Sequence, residues 1–173
     1  HPDTRQVETA SGERISYDRL VLAMGATPRR LSAANGMDGV FELRHPDDAA
    51  RLRSAAAKAS SAIIIGGGYI GLEVAATLAK SGKDVTVIEA APRLLARVAS
   101  PAISAFFADL HADAGTTVIT NVEVEAIAAD RGGFSYVTLS DGRQLSADML
   151  VVGIGVTPET ALAEAAGIET GNG

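Results

Sequence analysis

The run Ala62-Ile63-Ile64-Ile65 carries no polar side chain and stops abruptly at Gly66-Gly67-Gly68. That is the pattern of a strand buried on both faces of a parallel sheet and running into a tight turn. Past the turn the spacing becomes helical. Ile70, Leu72, Val74, Ala75, Leu78 and Ala79 recur three and four residues apart, and the stretch closes at Ser81-Gly82, where a glycine suits a left-handed C-cap. Residues 84–89 return to strand character. Strand, glycine turn, helix and strand within about 30 residues make one βαβ unit, with a right-handed crossover. Farther on, the pattern predicts a helix over 101–114 and strands over 116–119, 122–128, 134–139 and 149–152. Upstream, His45-Pro46-Asp47-Asp48 reads as a helix start, with proline in the first turn and carboxylates at the positive helix end.

The same pattern recurs at an offset of 130 residues, where residues 7–28 overlay 137–158 without a gap. Val7 matches Val137, Gly12 matches Gly142, Asp18 matches Asp148, Leu20-Val21 matches Leu150-Val151, Gly25 matches Gly155, and Thr27-Pro28 matches Thr157-Pro158. Each copy reads as a β-hairpin with a Ser-Gly or Asp-Gly turn, then a buried strand ending at a glycine and an X-Pro. The second copy has a strand–glycine–helix beginning upstream of it. The first has none, so the reading expects a chain that starts partway through a longer protein. Residues 20–23 are expected to be buried as a short β segment, because they are too apolar to leave in water.

The turn carries the chemistry. In Gly66-x-Gly68-x-x-Gly71 the first glycine permits the tight turn, the second lets the backbone approach a pyrophosphate, and the third lets the helix sit against the sheet. The N–H groups of Tyr69 and Ile70, at the positive helix end, then offer a phosphate site. Glu89 ends the next strand, 23 residues after Gly66, placed to accept hydrogen bonds from the adenosine ribose and to repel a 2′-phosphate. NAD is therefore favoured over NADP, with Arg93 and Arg97 just downstream as cations able to offset that repulsion. The expected fold class is α/β, a Rossmann-like βαβ dinucleotide-binding domain with a parallel sheet and an inserted antiparallel β-meander or hairpin.

Composition narrows this further. A net charge of −6, a pI near 5.0 and the lack of any Lys/Arg cluster argue against nucleic acid and anionic membrane as partners. No apolar run approaches the roughly 18 residues of a membrane span, so a cytoplasmic location is expected. With no cysteine, these residues hold no thiol redox pair, and electron transfer has to use a bound cofactor. His1, His45 and His111 are too scattered to suggest a metal site.

The run from Ile63 to Ala75, with Glu73 inside it, resembles the FAD-dependent pyridine nucleotide-disulfide oxidoreductases, in particular their ferredoxin reductase-like branch. Tyr17 to Pro28 resembles the end of that family's first flavin segment, Val151 to Pro158 the end of its NAD domain, and Glu89 to Leu95 also fits. The resemblance implies an enzyme that passes hydride from NADH to FAD and electrons on to a ferredoxin-type iron–sulfur protein, with the NAD domain inserted into the flavin domain. Residues 1–35 are then a remnant of the FAD-binding domain and a linker, 36–160 the NAD(H)-binding domain, and 161–173 the start of the return to the FAD-binding domain. By the same resemblance, Tyr69 lies between flavin and nicotinamide, Glu73 meets the nicotinamide carboxamide, the backbone of Gly155 passes the nicotinamide, and Gly25 and Arg29 touch flavin. No residue is assigned as a proton-transfer catalyst. Ala23-Met24-Gly25 departs from the family's Ala-Thr-Gly and loses a hydroxyl contact. The family's FAD glycine fingerprint and Gly-Asp flavin motif do not occur in these residues, so the chain is expected neither to hold FAD tightly nor to be active alone. An NADH-dependent peroxidase or disulfide reductase fragment, and a non-catalytic NAD-binding module, stand as alternatives.

Overall fold

The computed structural model describes residues 1–171, which leaves the last two positions of the 161–173 segment outside the described residues. In chain order the elements are β1 (Gln6–Glu8), β2 (Arg14–Ser16), β3 (Ala26–Pro28), a 3-10 turn (Ser32–Ala34), β4 (Val40–Phe41), α1 (Pro46–Ala56), β5 (Ser61–Ile65), α2 (Tyr69–Lys80) and β6 (Asp84–Glu89). There follow α3 (Pro101–Asp113), β7 (Thr117–Thr120), β8 (Val124–Asp130), β9 (Gly133–Leu139), β10 (Gln144–Ser146), β11 (Met149–Val152), β12 (Val156–Pro158) and α4 (Ala161–Ala165). They fall into two compact units, Pro28–Gly155 and the pair of segments His1–Thr27 and Val156–Gly173.

The unit Pro28–Gly155 is built on a five-stranded sheet in the order β4-β11-β5-β6-β7, parallel at each pairing. The alternation of β5 divides the core. Ile64 pairs in register with Val151 and Val87, and this set packs with Leu52 of α1 and Leu72, Ala75 and Leu78 of α2. Ile63, Ile65, Ile88, Leu150 and Val152 point the other way, onto Val137 and Leu139 of β9. The second face is thus covered by the antiparallel sheet β10-β9-β8, which is inserted between β7 and β11. This is the α/β fold with inserted antiparallel strands that the pattern predicts. Each large aliphatic buried there contributes about 1.5–3 kcal/mol.

Local signals act where they are read. Asp48 Oδ2 accepts the N–H groups of Arg44 (3.1 Å) and His45 (2.9 Å), fixing the start of α1 and holding the carboxyl below its usual range. Gly82, at φ +77°, ends α2, with Lys83 N–H donating to Leu78 C=O at 3.1 Å. At the start of the sheet Asp148 Oδ2 accepts from Ser60 N–H (2.7 Å), Ser61 N–H (3.0 Å) and Ser61 Oγ (3.1 Å), which lowers its pKa and ties β5 to β11. β7 and β8 begin later than 116 and 122. Thr116 N–H is taken by His111 C=O at the end of α3, and Val122 N–H by Glu89 C=O beside the left-handed Asn121, so neither residue is free to enter a ladder.

In the other unit β1 and β2 pair antiparallel about Ser11-Gly12, with Gly12 at φ +83°. The Thr-Pro ends of the two repeat copies, β3 and β12, form a two-stranded sheet of their own. The expectation of a buried β segment over 20–23 is overturned. These residues form no strand, and Leu20 and Val21 are 45% and 86% exposed. The corresponding β11 is fully buried because β4 and β5 flank it, whereas no strand among the described residues flanks 20–23.

Candidate functional site

The three glycines meet at the end of β5. Gly66 adopts φ +110° and donates its N–H to Ile88 C=O at 2.8 Å; a Cβ there would stand 2.4 Å from Gly153 C=O. A Cβ on Gly71 would stand 2.0 Å from Gly66 C=O. Backbone therefore packs on backbone where β5, α2 and β11 converge, and no side chain fits between them. Gly68, the N-cap of α2, differs, since a Cβ there would meet nothing within 4 Å. The first backbone bond of the helix runs from Leu72 N–H to Gly68 C=O at 3.0 Å. The N–H groups of Tyr69, Ile70 and Gly71 precede it and have no earlier helical turn to donate to. No acidic residue occupies that turn, so the positive end of the helix is not neutralised by its own side chains.

Glu89 is half-buried and faces the turn, with Oε2 accepting Gly67 N–H at 2.6 Å and Oε1 accepting Ala91 N–H at 2.8 Å. Each oxygen keeps a second lone pair. Tyr69 and Ile70 are 58% and 39% exposed at the helix start, and Glu73 is exposed one turn farther on. Gly155, at φ +103°, lies beyond β11, and a Cβ on it would be 3.4 Å from the Arg97 guanidinium. The two downstream arginines part company here. Arg93 donates to Ala96 C=O, Ala99 C=O and Ser104 Oγ, all at 2.7–2.8 Å. Arg97 is exposed and has no hydrogen bond or ion pair among the described residues.

Gly66, Gly68, Tyr69, Ile70, Gly71, Glu73, Glu89 and Gly155 thus all belong to the unit Pro28–Gly155, at or near the ends of β5, β6 and β11. Gly25 belongs to the other unit, at φ +78°, its carbonyl accepting from Glu159 N–H at 3.0 Å. Thr27 Oγ1 donates to the Glu159 carboxylate. In the sequence pattern Gly67 is a variable position of the fingerprint and Gly153 a strand end, yet in the structure both pack closely at the turn. Gly67 lies between two glycines of the fingerprint and Gly153 two residues before Gly155, and nothing else in the sequence marks either.

His1 lies beside Glu8, His45 precedes α1, and His111 is buried in α3, where burial pushes its pKa down. No cluster of three metal-binding side chains occurs among the described residues, and none of their helices is long and apolar enough to cross a membrane.

A family profile described as pyridine nucleotide-disulphide oxidoreductase matches residues 2–173. Terpredoxin reductase of a Pseudomonas species is 42% identical over 99% of this chain and 42% of its own length. Among solved structures, a ferredoxin reductase from Rhodopseudomonas palustris superposes with a TM-score of 0.92 at 41% identity, over 100% of this chain and 43% of that one. A covalent putidaredoxin reductase–putidaredoxin complex gives a TM-score of 0.89 at 39% identity, over 99% and 43%. The chain spans about two fifths of the length of each.

Proposed function

The chain belongs to the pyridine nucleotide-disulphide oxidoreductase family, and from that premise we propose that it contributes the NAD(H)-binding domain of a flavoprotein reductase serving a ferredoxin-type iron–sulfur protein. With its limits taken from the compact units, at 27/28 and 155/156 in place of the expected 35/36 and 160/161, the unit Pro28–Gly155 is the nucleotide-binding part, and His1–Thr27 with the residues after Gly155 belongs to the flavin-binding part. One observation carries the reading. The open Gly68 corner presents the leading N–H groups of a helix whose own first turn carries no acidic residue, with the Glu89 carboxylate fixed alongside on Gly67.

A dinucleotide held at that corner would supply hydride chemistry to a flavin when both are bound. The chain's own residues position and exclude. Tyr69 and Ile70 N–H groups bind the pyrophosphate, the remaining lone pairs of Glu89 accept the ribose hydroxyls, and its charge disfavours a 2′-phosphate. The Arg97 guanidinium supplies a cation beside Gly155. Tyr69 and Glu73, exposed on the first turns of α2, are the residues that the family resemblance would assign to the nicotinamide end. The flavin is a different matter. Gly25 and Arg29 suit its edge, but these residues include no second strand–glycine–helix unit, so no flavin step is derived from them.

The names of the relatives bear on the acceptor. Those near 40% identity bear the names of terpredoxin, putidaredoxin and rubredoxin reductases, whereas a persulfide reductase and an NADH oxidase stand at 28% and 25%. This supports an iron–sulfur protein as partner over disulfide or peroxide chemistry.

Calorimetric titration of the chain with NADH and NADPH, repeated with Glu89→Ala, tests the site. NADH is expected to bind more tightly, and the variant is expected to lose that preference while binding both more weakly, because Glu89 also holds Gly67. Equal affinities in the parent chain, or binding of neither nucleotide, would overturn the reading.

A further inference from the structure

Gly67, the middle residue of the glycine run, is gripped from three sides. Its N–H donates to Glu89 Oε2 (2.6 Å), its C=O accepts from Leu95 N–H (2.9 Å), and its α-carbon is covered so closely that a Cβ would lie 2.5 Å from Leu94 Cδ2. Two of the three contacts come from consecutive residues of the loop after β6. That loop holds an unfavourable shape, since Leu95 is buried and left-handed at φ +53°. A branched apolar residue keeps such a conformation only when its surroundings impose it.

Leu95 C=O accepts from Val98 and Ala99 N–H, both at 3.0 Å, and Arg93 braces the residues on the far side of it. One guanidinium nitrogen bridges Ala99 C=O (2.8 Å) and Ser104 Oγ (2.7 Å), and the other bonds Ala96 C=O (2.8 Å). Ser104 is 3% exposed and passes the contact on, donating to Leu94 C=O at 2.6 Å. The side chain thus joins the first turn of α3 to both flanks of Leu94-Leu95, and through them to Gly67. Three of the five N–H donors of Arg93 are thus directed to the loop and to α3.

We propose that Arg93 is a positioning residue for the dinucleotide turn: through Ser104, Leu94 and Leu95 it fixes Gly67, and with it the helix end that receives the pyrophosphate, without touching the nucleotide. The proposal rests on the reading of the glycine turn as the nucleotide site, but its central prediction concerns the chain without ligand.

The test compares the parent chain with Arg93→Gln, Arg93→Lys and Ser104→Ala by residue-resolved amide exchange, then by titration with NADH and NADPH. In Arg93→Gln the amides of Gly67 and Leu95 are expected to exchange about tenfold faster while those of Ile64 and Val87 hold, as expected for loss of a charged hydrogen-bond bridge. Ser104→Ala should give a smaller change at the same two amides. Arg93→Lys should restore little, because an ammonium cannot span the same divergent acceptors. NADH and NADPH affinities should fall by a common factor of about ten, leaving their ratio unchanged. Unaltered exchange at Gly67 and Leu95 would overturn the proposal, as would acceleration of every amide together, the mark of general destabilisation. Selective loss of NADPH binding would also overturn it, by placing Arg93 against the nucleotide. Should the parent chain bind neither nucleotide, the functional reading fails on its own, and the exchange result still decides the role of Arg93.

Discussion

Residues 7–28 and 137–158 share a pattern, position by position, yet they reach different structures. In the second copy Leu150 and Val151 are fully buried in β11; their counterparts Leu20 and Val21 are 45% and 86% exposed and outside any strand. The hairpins that precede them agree, with Gly12 at φ +83° and Gly142 at φ +85°. A tight turn is specified by the few residues that make it, so both copies form it. A parallel strand is specified by its neighbours, because its hydrogen bonds and burial come from residues far away in sequence.

The strongest way to break this comparison is to shave the same side chain in both copies. Leu150→Ala is expected to cost about 3–5 kcal/mol in urea unfolding, and Leu20→Ala less than about 0.5 kcal/mol. Comparable losses would mean that residues 20–23 are buried in solution. The matched aspartates give a smaller contrast. Asp148 anchors the starts of β5 and β11 through Ser60 and Ser61, and Asp148→Asn should cost about 1.5 kcal/mol, limited by solvent exposure, while Asp18→Asn costs nothing measurable. The sign with pH follows from the lowered pKa of Asp148. Its contribution is complete above the unfolded value of 3.8 and disappears as pH falls through the lower folded value, so parent and variant should converge in acid. The smallest effect is a test of sameness. Gly12→Ala and Gly142→Ala should each accelerate exchange across their own hairpin about fivefold, the equivalent of about 1 kcal/mol of left-handed strain. A large difference between them would show that the hairpins also depend on distant contacts.

What could be read from the residues divides along the same line. The β5–α2–β6 unit, the cap at Gly82 and the start of α1 are local devices, and their signals lie within a few residues of one another. The role of Gly71 is legible because its steric exclusion acts within the turn, against Gly66 C=O; Gly66 is marked by its left-handed turn, while the backbone it packs on, Gly153, is distant in sequence. The double use of Glu89 is not legible, since its bonds to Gly67 and Ala91 depend on how the loop folds back. Arg93 and Arg97 looked interchangeable as downstream cations; only the path of the loop sends one inward to Ser104 and leaves the other in solvent. β4 has no signature in the sequence, because two residues on a sheet edge carry no periodicity. Residues 20–23 misled for a sound reason, as their apolar content is that of a buried strand.

Arg29 N–H donates to Gly155 C=O at 2.9 Å, so the polypeptide enters and leaves the Pro28–Gly155 unit one hydrogen bond apart. A segment with adjoining ends can be spliced into a surface turn of a host fold without stretching it, and the loop it replaces need be no longer than a hairpin. Joining those ends directly would close the unit into a ring, and cutting it elsewhere would give a permuted chain with the same glycine turn. Adjoining ends of this kind give the unit the topology of a cassette, contiguous in sequence and closed on itself.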